Sequence, residues 1–218
     1  MIIITIDGPA GAGKSTVSKK VAQELSINFL DTGALYRAIG LILAKSEVRP
    51  EFLHEALNDI NIEINKSGVY VNDFDVTKEI RTPEADILSS KYSALPEVRA
   101  ALLNIQREQA KKASLIAEGR DLGSVVFPDA DFKFYLTASP EARAKRRYDE
   151  RIKRGESANY DEILQAIKSR DQHDLNREIA PLRIPENAIY IDSSDMSEQE
   201  VINFIINQVR GSINNEAK

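Results

Sequence analysis

Apolar residues in this chain fall into short continuous runs, separated by longer stretches in which they recur with helical spacing. The first run, Ile2-Ile3-Ile4-Thr5-Ile6, reads as a strand buried on both faces, and Val17, Val21 and Leu25 after it mark one side of a helix. Ile27 to Leu30 is a second strand, ending at Asp31. Leu35, Ile39, Ile42 and Leu43 are the buried stripe of the helix that follows, with Thr32 as its expected N-cap. Ser114 to Ala117 reads as a third strand. Asp131 to Thr137 is a fourth, with Phe132, Phe134 and Leu136 alternating with Lys133 and Tyr135; Ser139-Pro140 caps the next helix, and Glu141 suits its first turn. Asn159 starts another helix, Ile189 to Ile191 is a fifth strand, and Ser197 with Glu200 forms a capping box for a last helix carrying Val201, Ile205 and Val209. Strands alternating with helices predict an α/β fold, a five-stranded parallel sheet with helices on both faces.

From Pro50 to Ser114 that alternation breaks, which predicts an inserted unit in place of an ordinary crossover. Ile62 and Ile64 alternate with polar residues, Lys66-Ser67-Gly68 turns the chain, and Val69 and Val71 alternate again, the signature of a hairpin. A helical pattern returns after Pro96, with Val98, Ala101, Leu102, Ile105 and Gln109 on one face. Ser90 and Arg99 lie near the two ends of the loop before it. The expected division is a core of residues 1–49 and 114–218 with an insertion, not an independent domain, at 50–113.

Composition narrows the function classes. A chain of 218 residues, 42% hydrophobic and 29% charged, has room for one sizeable core. It contains no cysteine, which removes disulfides, thiolate metal sites and cysteine nucleophiles and suits a reducing compartment. No export signal or membrane-length apolar run is seen, so a cytoplasmic location without membrane attachment is expected. A formal net charge of −5 argues against a nucleic acid polymer as partner. Small anions remain open to it through local arginine clusters. Only residues 214–218 read as a frayed tail.

The chemistry begins at the end of the first strand. Gly8, Pro9, Ala10, Gly11, Ala12, Gly13, Lys14, Ser15 and Thr16 contain G-x-x-x-x-G-K-[ST] between a strand and a helix, the setting in which glycines let backbone N–H groups close around phosphate oxygens. Lys14 can reach β- and γ-phosphates, the Ser15 hydroxyl suits Mg²⁺, and Thr16 adds a donor. Tyr36 and Arg37 sit one turn into the second helix, at the ligand-binding edge of the expected sheet, where Arg37 is either a surface charge or a grip on a second phosphate. The third strand delivers Glu118-Gly119-Arg120-Asp121 to the same edge. Glu118 is a candidate to orient Mg²⁺ through water, and Arg120 and Asp121 either pair with each other or meet a ligand. The helix after Ser139 carries Arg143, Arg146, Arg147, Arg151, Lys153 and Arg154 and ends near Gly155, a basic run that fits a lid over transferring phosphates, at about residues 146–160. Arg170, Asp174 and Arg177 share one face of the next helix, as an ion-pair ladder or a ligand set. His54 and His173 lack metal-ligand or triad spacing and read as surface residues.

Taken together and in order, GPAGAGKST, DTGALYR, EIRT, EGRDLG, RAKRRYDER and SRDQHDLNREIAPL resemble the bacterial-type cytidylate kinases, a nucleoside monophosphate kinase family, over almost the whole chain. The resemblance implies a P-loop kinase core with an inserted monophosphate-binding region and a mobile lid. It implies transfer of the γ-phosphoryl group of ATP to CMP or dCMP, with Mg²⁺. Carried over by position, Thr32, Arg37, Arg120 and Arg177 would bind the CMP phosphate, Ser90, Arg99 and Asp121 would read cytosine, and Arg170 with Asp174 would face the sugar. Tyr36 falls among the same substrate-binding residues. Lys14, Arg37, Arg120 and the lid arginines Arg146 and Arg147 are the implied catalytic charges, Ser15 and Glu118 the implied metal set, and a monomer acting on free nucleotides the implied form. Thr32 stands where the family often has serine, keeping the hydroxyl.

Three other readings compete. A P-loop kinase of thymidylate or shikimate shares the core but not the base-reading set. A regulatory GTPase requires N-K-x-D, whereas Asn65-Lys66 is followed by Ser67-Gly68. A purely structural nucleotide-binding module leaves the second arginine set without a purpose.

Overall fold

The structure is a computed structural model and describes residues 1–65 and 68–216. In chain order its elements are β1 (Ile3–Asp7), α1 (Lys14–Leu25), β2 (Asn28–Asp31), α2 (Thr32–Lys45), α3 (Leu53–Asn58), β3 (Ile62–Ile64), β4 (Val69–Val71), β5 (Phe74–Asp75), α4 (Pro83–Tyr92), α5 (Pro96–Lys112), β6 (Leu115–Gly119), a π-helical turn (Leu122–Val126), β7 (Phe132–Thr137), α6 (Pro140–Lys153), α7 (Tyr160–Leu175), β8 (Ile189–Asp192) and α8 (Glu198–Glu216). They form two compact units, Met1–Leu30 with Lys112–Lys218, and Asp31–Lys111.

The first unit is built on the expected five-stranded sheet, in the order β2-β6-β1-β7-β8. The central β1 runs parallel to β6, with Ile4 opposite Ile116, and parallel to β7, with Ile4 opposite Phe132; β7 runs parallel to β8. A strand covered on both faces is buried at consecutive positions, and β1 is buried from Ile4 to Asp7. Ile4 and Ile6 face a core with Val17 and Val21 of α1, Phe134 and Leu136 of β7, and Val201, Ile205 and Val209 of α8. Thr5 and Asp7, equally buried, lie on the alternate positions. Asp7 meets the π-helical turn there, as described below. Truncating one of the fully buried Ile or Phe side chains to Ala costs about 2–5 kcal/mol.

The caps appear where the pattern puts them, with one exception. Ser139 Oγ accepts from the Ala142 N–H at 3.1 Å, and Asn159 Oδ1 accepts from the N–H groups of Asp161 and Glu162. Ser197 and Glu200 bond reciprocally, completing the capping box. At α2 the cap is Asp31 and not Thr32: Asp31 Oδ1 accepts from the Ala34 N–H at 2.9 Å, and Thr32 is the first helical residue. α8 runs to Glu216, through most of the segment expected to be frayed, because a formed helix gains one hydrogen bond per added residue. The remaining tail residues, 217 and 218, lie outside the described residues.

In the second unit, β3, β4 and β5 form a three-stranded sheet, with Ile62 opposite Val71 and Ile64 opposite Val69. The hairpin is as expected, although Lys66 and Ser67 of its turn lie outside the described residues. Helix α2, on the core side of the expected boundary at residue 50, packs within this unit against α4. A Cβ added at Gly40 of α2 would stand 3.1 Å from the Leu88 carbonyl carbon of α4, so glycine permits the close crossing. Of the expected α5 face, Val98 and Leu102 are buried and Ala101, Ile105 and Gln109 half-buried, while Gln106 and Ala110 complete the buried stripe. Gln106 tolerates burial in part by donating its side-chain amide to the Leu102 carbonyl at 3.1 Å. Among the described residues no helix is long and apolar enough to cross a membrane.

Candidate active site

The loop between β1 and α1 is shaped by its glycines. Gly8, Gly11 and Gly13 have φ of 148°, 77° and 90°, a region that L side chains rarely adopt. At Gly8 an added Cβ would lie 1.9 Å from the Leu136 carbonyl oxygen, so no other residue fits. Helix α1 begins at Lys14 with no side-chain cap, leaving its first N–H groups to an outside acceptor, and an anion is the natural one at the positive end of a helix. Lys14 is buried, 5% exposed, and its Nζ donates to the Pro9 carbonyl at 2.8 Å. Burial, with the Arg120 charge next in weight, pushes the Lys14 pKa down to about 7.

Ser15 Oγ donates to Glu118 Oε1 at 2.6 Å, joining the loop to the end of β6. A hydroxyl and a carboxylate side by side are hard oxygen donors, and with waters and nucleotide phosphates completing the shell they fit Mg²⁺, which seldom takes a full protein cage. Among the described residues no group of three acidic or histidine side chains forms a metal cage.

Beyond β6 the chain is held by Asp7, whose Oδ1 and Oδ2 accept from the N–H groups of Leu122 and Gly123 at 2.8 and 2.7 Å. Burial pushes the Asp7 carboxyl up to about 7 in spite of those two bonds. Arg120 pairs with Asp174: Arg120 Nε donates to Asp174 Oδ2 at 3.0 Å. Arg177, two residues past the end of α7, turns back so that its Nη2 reaches Asp174 Oδ1 at 2.5 Å. Burial of Asp174 works to raise its pKa, but the Arg120 and Arg177 charges outweigh it and hold the carboxyl below the usual range. Arg170 stands one turn earlier on α7, and its charge acts on Asp174 in the same direction.

The basic helix α6 divides by burial. Arg143 is 3% exposed, which sets it apart from the rest of the basic run read as a lid. Its guanidinium bonds Ala138, Ala10 and Asp171. Arg146 donates to the Ser193 hydroxyl at 3.2 Å and to the Ser193 carbonyl. Arg147 is half-buried beside it, and Gly155, with φ of 75°, ends the segment.

In the second unit, Asp31 organises the other arginines. Arg37 Nη2 approaches its Oδ1 and Oδ2 at 3.3 and 3.2 Å, and Arg81 Nη1 donates to Oδ2 at 2.9 Å. Burial opposes ionisation of Asp31, but Arg37 and Arg81 prevail and lower its pKa. Asp86 lies 3.7 Å from Arg37 Nη1, and Arg37 Nε is buried without a partner among the described residues. Thr32 is buried at the start of α2, and the Arg99 guanidinium lies 5.7 Å from the Tyr36 ring centroid. Ser90 is in the last turn of α4 and Arg99 in the first turn of α5; Ser93 between them donates to the Ser90 carbonyl at 3.3 Å and accepts from Arg99 on its own carbonyl at 3.4 Å.

Asp7, Arg81, Ser93 and Asp171 were given no individual role from the sequence, although EIRT contains Arg81 and SRDQHDLNREIAPL contains Asp171. Asp171 had a faint signal, lying between Arg170 and Asp174 on a helix already suspected of ion pairing. His54 and His173 are exposed, as read.

A family model described as cytidylate kinase matches residues 4–211. The chain belongs to the cytidylate kinase family. The cytidylate kinase of Fervidobacterium nodosum is 47% identical over 209 residues, covering 95% of each chain. That of Caldanaerobacter subterraneus subsp. tengcongensis is 44% identical over 216 residues, 98% of this chain and 96% of the relative. Among solved structures, an uncharacterized protein from Eubacterium ventriosum superposes with a TM-score of 0.55 at 15% identity, covering 96% of this chain and 99% of the other, and shares the fold. As a cytidylate kinase family member the chain is an ATP-dependent phosphotransferase.

Proposed function

We propose that this protein transfers the γ-phosphoryl group of ATP to CMP or dCMP, giving ADP with CDP or dCDP. The observation that carries the reading is the placement of two guanidiniums, Arg120 and Arg177, on the buried carboxylate of Asp174 in the unit that holds the phosphate loop. An enzyme that only hydrolyses ATP needs no second anion site, whereas a kinase with a phosphate acceptor does. The full-length likeness to cytidylate kinases supports CMP as that acceptor.

In this reading the loop from Gly8 to Thr16 holds the ATP phosphates, and Lys14 faces the transferring group. Ser15 and Glu118 would hold Mg²⁺, which would supply neutralisation of the phosphate charge. Arg120 and Arg177, with Thr32 and Arg37, bind the CMP phosphate. Ser90, Arg99 and Asp121 read the base, Tyr36 lines the same substrate set, and Arg170 with Asp174 faces the sugar. One oxygen of the CMP phosphate attacks the γ-phosphorus as the bond to the β-bridging oxygen breaks. The nucleophile is already anionic at neutral pH, so no protein base has to take a proton. Both substrates are negative, and the protein's task is to hold them in line and offset the charge spreading over the equatorial oxygens. Arg146 and Arg147 contribute from the lid segment at about 146–160, and residues 50–113 form the monophosphate-binding insertion. A cytoplasmic monomer acting on free nucleotides is the form that fits.

ADP formation measured with CMP, dCMP, UMP, AMP, GMP and dTMP in turn tests this. The reading expects CMP or dCMP to lead the panel clearly; a different leading acceptor would replace it.

A further inference from the structure

Arg143 makes four hydrogen bonds and ties three segments of the first unit together. Its Nε donates to the Ala138 carbonyl just past β7 at 2.9 Å. Nη1 donates to the Ala10 carbonyl in the phosphate loop at 2.9 Å and to Asp171 Oδ1 on α7 at 2.9 Å, while Nη2 donates to Asp171 Oδ2 at 2.6 Å. The fork-to-fork pair with Asp171 fixes the plane of the guanidinium, so the hydrogen that meets Ala10 is aimed and not merely nearby. Its aliphatic stem lies beside the next loop residue: a Cβ added at Gly11 would stand 3.6 Å from Arg143 Cβ and 3.9 Å from its Cδ.

A planar trans peptide points its C=O and the following N–H to opposite sides. Holding the Ala10 carbonyl toward Arg143 therefore directs the Gly11 N–H the other way. Gly11, at φ of 77°, otherwise has unusual backbone freedom, so an outside constraint on this peptide has an orientation to select. Three residues after Asp171, one turn along α7, is Asp174, the carboxylate that carries Arg120 and Arg177.

We propose that Arg143, held by Asp171, is a positioning residue that sets the Ala10–Gly11 peptide of the phosphate loop for the donor nucleotide, and that it is not one of the lid charges. Neither side chain touches the transferring group in this account; they act through the loop backbone. The inference rests on the reading that the loop binds ATP phosphates, and it does not depend on the identity of the acceptor.

The test is direct binding of ATP and, separately, of CMP to the wild type, Arg143→Lys, Asp171→Asn and the double variant. Lysine keeps the charge but has no fork, and asparagine keeps the shape but loses the charge, so both are mild enough to preserve the fold; thermal melting checks that. Each single variant should weaken ATP binding by roughly ten-fold or more while CMP binding stays within about two-fold, because the lost bonds are charge-assisted and local to the loop. The double variant should be no worse than the weaker single, since both changes break one interaction. ATP binding at the wild-type level in both singles overturns the proposal. So does an equal loss for ATP and CMP accompanied by a lower melting temperature, which is the behaviour of a merely structural pair. Because the readout is binding and not turnover, the outcome stands even if another acceptor replaces CMP.

Discussion

Ser15 Oγ and Glu118 Oε1 lie 2.6 Å apart although 103 positions separate them in the chain. The parallel pairing of β1 with β6, which sets Ile6 opposite Glu118, brings the strand ends together, and the first turn of α1 does the rest. Glu118→Gln should therefore raise the Mg²⁺ concentration giving half-maximal rate by roughly ten-fold to a hundred-fold, the range seen when metal-orienting groups are lost. Turnover titrated against Mg²⁺ at saturating nucleotides reads this. An unchanged titration would remove Glu118 from the metal set.

Lys14→Ala should lower kcat by at least about 10²-fold, since in the proposed mechanism it removes a charge facing the transferring phosphoryl group. Its effect on stability should be small or favourable, because burial of the ammonium is itself unfavourable, as its lowered pKa of about 7 records. Steady-state rates alongside chemical denaturation separate the two effects. A large loss of stability with retained turnover would contradict both halves.

Asp7 gives a pH dependence with a definite sign. Its carboxyl is raised by burial from 3.8 to about 7, so the folded protein holds this proton more tightly than the unfolded chain. The stability it contributes is full below pH 3.8 and is lost as pH rises toward about 7. Asp7→Asn cannot ionise. The stability difference, wild type minus variant, should thus be larger at pH 5 than at pH 8 in denaturant titrations, and a difference independent of pH would show that Asp7 does not titrate in this window.

Asp31 caps α2 and holds Arg37 and Arg81 at once. Asparagine is an equally good cap but carries no charge. Asp31→Asn should leave α2 intact and raise the KM for CMP by roughly ten-fold, as expected for loss of one charge-assisted contact, with the KM for ATP little changed. If circular dichroism shows lost helix, the cap and not the arginine orientation was the dominant role.

Asp121 is proposed to face the cytosine amino edge. A carboxylate only accepts, and uracil presents an acceptor there, so kcat/KM for CMP should exceed that for UMP by roughly ten-fold to a few hundred-fold. Asp121→Asn, which can donate, should narrow the gap. A ratio unmoved by the substitution would take Asp121 out of base reading.

Much of this was legible in the sequence where a signal is local. The strand, glycine loop and helix are announced by GPAGAGKST, and the caps at Ser139, Asn159 and Ser197 follow from residue type and spacing. What was not legible depends on tertiary partners. Helix α4 buries only Ala85 and Ser89, too sparse a stripe to show a period, and its one cue is the Thr82-Pro83 start. Thr32 and Asp31 are both good caps in adjacent positions, and the longer reach of the carboxylate, already drawn in by Arg37 and Arg81, decides between them. Arg143 looks like its neighbours in an arginine-rich helix, and only the arrival of Asp171 from α7 distinguishes it. On α5 Gln106 is buried and Gln109 half-buried, a shift of three positions, close to one helical turn, which amphipathic spacing alone resolves poorly.

The central claim is phosphoryl transfer between nucleotides, and the most direct measurement follows the phosphoryl group itself. With ATP labelled at the γ-phosphate and CMP in excess, the account predicts that the label appears in the β-phosphate of CDP as fast as ADP forms, with little released as inorganic phosphate. Label found in inorganic phosphate at the rate of ADP formation, with CDP unlabelled, would contradict it.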